Sequence, residues 1–368
     1  MLSNSLNFKE FQNNMDFSQL IIQWYDRNKR DMPWRQTREP YLIWVSEIIL
    51  QQTRVEQGLA YYHKFTTAFP DVKSLAEASE QAVLSIWKGL GYYSRARNMH
   101  HTAQKVMQHY GGKFPVTYLE LLTLKGIGPY TAAAIASICN HEPIPVVDGN
   151  VIRVFSRIFG YKEPVGSTAG YKKIFKKSTS FIEHSHPGTY NQAVMEFGAL
   201  HCKPRQPLCN QCIFQKNCFA FAHNMVDSLP QPAKAIVKKE RFFHYFLIIH
   251  PQKGLLMQKR EAGDIWQNLW ELPLVESEKF MDAAKATEKS GLFAQQGIDL
   301  QSAYTDINHI LTHQVIKSRF FYLSHEALLT PIPPSMQWQD VSLLKTLPIP
   351  RLIDKYLKIM SHQISVLH

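Results

Sequence analysis

Leu124-Lys125-Gly126-Ile127-Gly128-Pro129-Tyr130-Thr131-Ala132 separates two helical patterns. Thr117–Leu124 is apolar on one side, and a small-residue helix is predicted from Thr131 to Cys139, closed by Pro143 and Pro145. Glycine lets backbone N–H groups approach a ligand closely, and the N-terminus of the following helix favours an anion. Gly126 and Gly128 are therefore candidate phosphate contacts, although a lone G-x-G equally suits a tight turn without a ligand. Twenty residues beyond Gly128 comes Val146-Val147-Asp148-Gly149-Asn150-Val151, where Asp148 reads as the N-cap of a helix running to Phe159. The apolar run before it sets the carboxylate near the core.

Outward from this stretch, helices dominate residues 17–200. Asp16 or Ser18 caps a helix through Ile21, Trp24 and Tyr25 to about Arg30, and Pro40 opens another through Leu42, Ile43, Ile49 and Leu50. Residues 225–240, MVDSLPQPAKAIVKKE, mix prolines and lysines without periodicity and read as a linker. Beyond them Phe243–Ile249, Leu255–Lys259 and Arg319–Leu323 are short and strand-like. The fold class expected is multi-domain: an all-α domain over 1–224, then a smaller α+β domain over 241–368.

The 368 residues carry 45% hydrophobic and 12% aromatic side chains, which excludes a largely disordered protein. No apolar run reaches the ~18 residues of a membrane span. Net charge is +9 over residues 1–225 and +2 over 226–368. A folded basic domain suits a nucleic-acid partner, since phosphate neutralisation supplies sequence-independent affinity. An intracellular protein without membrane attachment is expected.

Cys202, Cys209, Cys212 and Cys218 follow the spacing C-x6-C-x2-C-x5-C. Thiolates are soft ligands, so both zinc and an iron–sulfur cluster are open at this point. Lys203, Arg205 and Lys216 surround the four and would face a phosphate backbone.

Hairpin, downstream Asp and four-cysteine loop together resemble the helix-hairpin-helix DNA glycosylase superfamily, most closely its MutY-type adenine DNA glycosylases. Pro33-Trp34-Arg35, Ser46-Glu47-Ile48-Ile49-Leu50-Gln51-Gln52-Thr53, Gly89-Leu90-Gly91-Tyr92-Tyr93-Ser94-Arg95-Ala96-Arg97 and Asn191-Gln192-Ala193 carry the same resemblance. It implies a helix-hairpin-helix domain with a [4Fe–4S] cluster on the four cysteines, a C-terminal Nudix-like domain, and removal of adenine mispaired with 8-oxoguanine or guanine in double-stranded DNA. A monomer acting in the bacterial nucleoid is the accompanying expectation.

Cleaving an N-glycosidic bond requires protonating the departing base and stabilising an oxocarbenium-like sugar, work that two carboxylates in different environments can divide. By the resemblance Glu47 protonates adenine, Asp148 stabilises the sugar, and Asn150 orients Asp148. Tyr130 stands where bifunctional relatives carry a nucleophilic Lys, so hydrolysis without strand cleavage is expected; a phenol forms no imine. Arg35, Trp34, Gln192 and Glu196 are assigned to the adenine pocket. Gln52 enters the base stack and Thr53 contacts the DNA, while Leu90 and Tyr92 form the wedge on the 8-oxoguanine side. Arg95 and Arg97 flank that wedge, placed to meet phosphates or solvent. In the second domain Thr312 and His313 match the loop that reads the oxidised base, with Leu311 in place of the family's aromatic residue. No glutamate-rich Nudix box is present, so pyrophosphate hydrolysis is not expected. The competing assignments are a glycosylase/lyase of the endonuclease III type, against which the second domain and Tyr130 stand, and a DNA-binding scaffold, against which the retention of Glu47 and Asp148 stands.

Overall fold

The computed structural model describes residues 14–233, 237–294 and 304–361. Its helices are α1 (Asn14–Asn28), α2 (Pro40–Ile49), α3 (Val55–Ala68), α4 (Val72–Glu77), α5 (Glu80–Trp87), α6 (Ser94–Tyr110), α7 (Tyr118–Leu122), α8 (Pro129–Cys139), α9 (Gly149–Phe159), α10 (Thr168–Phe181), α11 (Pro187–Leu200), α12 (Phe219–Ala222), α13 (Ala283–Ser290) and α14 (Arg351–Ile359). The strands are β1 (Lys239–His250), β2 (Gly254–Lys259), β3 (Trp270–Glu271), β4 (Leu274–Ser277), β5 (Tyr304–Ile310), β6 (Gln314–Ser324) and β7 (Met336–Gln339). No helix among the described residues is long and apolar enough to cross a membrane.

The chain divides into two compact units that do not follow chain order. One comprises residues 1–77 and 98–235, the other 78–97 and 236–368. The first is helical. In α9 the apolar residues Val151, Val154, Phe155 and Ile158 recur at i, i+3, i+4 and i+7, and all are buried with Phe17, Phe181, Phe197 and Phe214. Each such side chain contributes roughly 1.5–3 kcal/mol through burial. Asp148 caps α9 by accepting from Val151 N–H (2.8 Å), as the sequence leads one to expect. α8 is narrow where Ala132, Ala133, Ala134 and Ala136 carry only a methyl group. A Cβ on Gly188 of α11 would come within 2.8 Å of Ile138 Cα, so this crossing needs glycine.

The second unit is built on a mixed sheet of order β3-β2-β1-β6-β5, with β4 added to β1 and β7 to β2. β1 and β6 run parallel; the remaining pairs are antiparallel. β1 is apolar on both faces, which the strand period of two sorts cleanly. Phe243, Tyr245, Leu247 and Ile249 join α14 residues Leu352, Ile353 and Tyr356, while Phe246 and Ile248 join Ala283 and Ala286 of α13. The sheet is thus covered by a helix on each side.

The sequence places Lys239 and Glu240 in the linker, but they already pair with Gln314 and Val315. Earlier in the same stretch, Leu229 O accepts from Arg157 (2.9 Å) and Gln231 O from Val165 N–H (3.0 Å). Part of residues 225–240 is therefore anchored, through carbonyls that prolines and lysines do not advertise. The N-cap reading of Asp16 falls outside the described side chains, and α1 already begins at Asn14.

Candidate active site

α2 carries Glu47 on a helix that is apolar apart from Ser46 and the Tyr41 hydroxyl, and the residue is 8% exposed. Burial raises its carboxyl to about 7; Asp148 adds to the rise, while a hydrogen bond from Tyr130 and the charge of Arg35 oppose it. Asp148, at the start of α9, is also raised by burial, against the pull of Val151 N–H and Asn150. Tyr130, second residue of α8, keeps its proton: burial and both carboxylates hold its phenol well above the usual range. Its hydroxyl also lies 3.6 Å from Met195 Sδ. Three elements distant in sequence therefore bring Glu47, Asp148 and Tyr130 into one electrostatically coupled group.

Asn150 donates to Asp148 Oδ2 (2.7 Å), and Arg153 in turn donates to Asn150 Oδ1 (2.8 Å). The same guanidinium reaches Gly198 O (2.7 Å) and Cys202 O (2.8 Å). One helical turn later Arg157 donates to Lys203 O (2.7 Å), Pro204 O (3.2 Å) and Cys202 Sγ (3.5 Å). Neither arginine is among the site residues expected from the sequence, yet a signal exists. Two arginines four apart inside the apolar pattern of α9 must be paired if buried, and they are. Asn191 is another residue known beforehand only as part of a motif. It bridges Ser137 Oγ, Ile144 O and Val146 N–H, which fixes the extended strap leading to Asp148.

Arg35, Gln192 and Glu196 also converge. Glu196 is buried; desolvation works against its charge, but Arg30 and Arg35 hold it down to about 2. Arg35 binds both carboxylate oxygens (2.9 and 2.8 Å), and so does Arg30 (2.9 and 2.7 Å). Gln192 accepts from the Tyr25 hydroxyl (2.8 Å). Arg30 and Tyr25 lie too far from α11 in sequence for periodicity to pair them. Trp34 goes into the core, edge-on to Tyr62 at 5.1 Å, and takes no part in the arginine–carboxylate cluster.

The remaining assigned residues sit on turns. Gln52 is exposed with φ 54°, a left-handed conformation that costs of order 1 kcal/mol for a non-glycine residue. Thr53, beside it, donates to Gln51 O (3.3 Å). Gly126 (φ 83°) and Gly128 are exposed on either side of buried Ile127, and a Cβ on Gly128 would meet nothing within 4 Å. The backbone is thus open at the N-terminus of α8. In the second unit Leu90 is buried and Tyr92 is 50% exposed. The Tyr92 hydroxyl meets Thr312 Oγ1 at 3.1 Å, so two residues assigned to the oxidised base are neighbours. His313 is exposed beside Thr312. Arg95 and Arg97 have protein partners, Gly91 O (3.1 Å) and Gln267 O (2.8 Å).

The four cysteines gather beneath α9. Burial pushes the Cys212 thiol up to about 12, and Cys218, Cys202 and Cys209 raise it further by their charge. Phe214 N–H donates to Cys212 Sγ (3.4 Å). Among the described residues no group of three or more His, Cys, Asp or Glu side chains is placed to hold a metal ion.

Comparison with known proteins agrees with this architecture. The family model described as HhH-GPD superfamily base excision DNA repair protein matches residues 45–183, and a NUDIX domain model matches 244–358. The solved structure of a thermostable thymine-DNA glycosylase is 27% identical, with a TM-score of 0.53 over 57% of this chain and 97% of its own. The family match thus places the chain among base-excision DNA repair glycosylases. The adenine DNA glycosylase of Buchnera aphidicola subsp. Schizaphis graminum is 31% identical over 93% of this chain and 98% of its own. That of Buchnera aphidicola subsp. Acyrthosiphon pisum is 36% identical over 70% and 73%. The chain belongs to the adenine DNA glycosylase family, hydrolases of N-glycosyl bonds acting on adenine in base-excision repair.

Proposed function

We propose that the enzyme excises adenine paired with 8-oxoguanine or guanine from duplex DNA by a hydrolytic, monofunctional route. The observation that carries the mechanism is the unequal carboxylate pair. Glu47, raised to about 7, is still half protonated near neutrality and serves as the acid for the departing base. Asp148, held by Val151 N–H and Asn150, faces the developing cation of the sugar. Tyr130 offers only a protonated hydroxyl, so water completes the reaction. The adenine must leave the base stack, which costs a few kcal/mol. Gln52, exposed on its left-handed turn, fills the place of the flipped base, and Tyr92 with Thr312 contacts the opposite one. The open backbone of Gly126 and Gly128 takes a phosphate. A protein acting as a monomer suffices for this chemistry.

Single-turnover assays on duplexes with one A:8-oxoguanine or A:G pair test the proposal. Release of adenine, leaving an abasic strand that breaks only in alkali, is expected. Strand cleavage at neutral pH with a borohydride-trapped lysine adduct would overturn the monofunctional route.

The cysteine loop fits a [4Fe–4S] cluster: its donor set is four soft thiolates, and Arg157 and Phe214 already direct N–H groups at two of the sulfurs. Cys202, Cys209, Cys212 and Cys218 would hold it, and it would supply a rigid, redox-capable cross-link below α9. Purified protein should contain about four irons and absorb broadly in the visible blue. Cys212→Ser should lose most of that iron and much of its soluble yield. One zinc and no iron would exclude the cluster.

A further inference from the structure

The segment Ala78–Arg97 lies inside the helix-hairpin-helix match but packs with the C-terminal unit. Its central turn is left-handed: Gly89 and Gly91 have φ of 93° and 79°, which glycine adopts freely, and Tyr92 has φ of 49°, which is strained for a residue with a side chain. Inside the turn, Trp87 Nε1 and Arg95 Nη2 both donate to Gly91 O (3.0 and 3.1 Å), and the Arg95 guanidinium lies over the Trp87 and Tyr92 rings at 5.2 and 5.6 Å. Outside it, the Lys88 ammonium donates to Leu344 O (2.6 Å) and Lys345 O (3.2 Å). The Tyr93 hydroxyl donates to Ile349 O (3.3 Å). A loop of the C-terminal unit grips the two flanks. Arg97 donates to Gln267 O (2.8 Å), and Asn268 donates to Glu80 Oε1 (2.5 Å).

That loop is itself held in an unfavourable shape. Trp266 and Asn268, on either side of Gln267, have φ of 60° and 63°. Backbone bonds from Asn268 N–H to Arg260 O and from Leu269 N–H to Trp266 O, both 3.0 Å, lock it. Strained backbone persists only where its surroundings over-determine it, and such sites cluster at functional contacts. Here the strain aims the Gln267 carbonyl at Arg97.

We infer that Gln267, Asn268 and the carbonyls of Leu344, Lys345 and Ile349 form a seat that sets the position of the Gly89–Tyr92 turn. Lys88 and Arg97 are positioning residues that tie the turn to the domain carrying Thr312. Discrimination between 8-oxoguanine and guanine opposite the adenine depends on this seat, because Tyr92 and Thr312 present one contact surface only while the turn is held. The inference rests on the assignment of Leu90 and Tyr92 to the wedge.

The test compares full-length Lys88→Met, Lys88→Arg, Asn268→Gly and Leu90→Ala, reading the single-turnover excision rate and the duplex dissociation constant opposite 8-oxoguanine and opposite guanine. Lys88→Met keeps the aliphatic stem but donates nothing to the carbonyls, and Asn268→Gly relieves the backbone strain while releasing Glu80. Each should lower the 8-oxoguanine-to-guanine preference about tenfold, mainly through binding, and Lys88→Arg should recover most of it. Unchanged preference in both Lys88→Met and Asn268→Gly, with Leu90→Ala impaired, would overturn the seat and leave the wedge. Leu90→Ala matching wild type in binding and excision would overturn the wedge assignment itself. A uniform rate loss in Lys88→Met that Lys88→Arg does not recover would also reject the seat, reducing Lys88 to a packing role.

Discussion

Glu47→Gln is expected to bind the mispaired duplex with near wild-type affinity and to release adenine at least a thousandfold more slowly. The amide keeps the shape of the carboxyl and can accept from Tyr130, but it has no proton to deliver, and general acid catalysis contributes roughly 10²–10⁴-fold. The same residue sets the pH profile. Only protonated Glu47 is competent, so the wild-type single-turnover rate should fall tenfold per unit above about pH 7. Stability should move the other way in the variant. The folded protein holds the Glu47 proton more tightly than the unfolded chain, whose carboxyl titrates near 4.5. Wild-type stability attributable to this group is therefore complete below pH 4.5, lost between 4.5 and 7, and constant above. The loss amounts to about 3 kcal/mol. Gln carries no such penalty, so thermal melts at pH 8 should place the variant several degrees above wild type, and melts at pH 4.5 should bring the two together. Excision by Glu47→Gln at near wild-type rate, or a melting difference independent of pH, would remove Glu47 from the acid role.

Asp148→Asn should be nearly as damaging to excision, for a different reason. Asn is as good an N-cap as Asp, so α9 should keep its start and the fold its stability. What disappears is the negative charge facing the sugar. A loss of about a thousandfold, or roughly 4 kcal/mol of transition-state stabilisation, is expected at saturating enzyme. The variant should differ from Glu47→Gln in its pH dependence. Its residual rate should still decline with rising pH, because the acid remains, but from a point below that of wild type, since the Asp148 charge that helps raise Glu47 is gone; the residual rate of Glu47→Gln should be flat. Retained activity in Asp148→Asn would place the cation-stabilising charge elsewhere.

Much of this architecture is legible in the sequence because the signals are local. Pro40 and Asp148 mark helix starts, and both helices begin where those residues place them, whereas α8 begins at Pro129, two residues before the expected Thr131. Short aromatic and aliphatic runs find β1, β2 and β6. They miss β3, β4 and β7, whose two to four residues are too short to stand out, and β5, whose seven residues bury only Ile307. The carboxylates and cysteines are legible as motifs, but what surrounds them is not. Arg30 meets Glu196, and Lys88 meets Leu344, across separations that no pattern in the chain encodes. Arg153 illustrates the intermediate case. Its place on the apolar face of α9 demands partners, but only the folded chain reveals that they are Asn150 and the carbonyls of Gly198 and Cys202.

Because Ala78–Arg97 is enclosed by helical-domain sequence on both sides yet finds its hydrogen-bonding partners beyond residue 236, the enzyme is not modular at its linker. A gene fragment ending near residue 235 would encode every catalytic group but strand a stretch that includes Lys88, Tyr93 and Arg97 without the acceptors it folds against. Weak lesion preference in such a fragment therefore has two inseparable origins, a missing reader and a misplaced turn. Point variants at the seat, in the intact chain, are the changes that keep those origins apart.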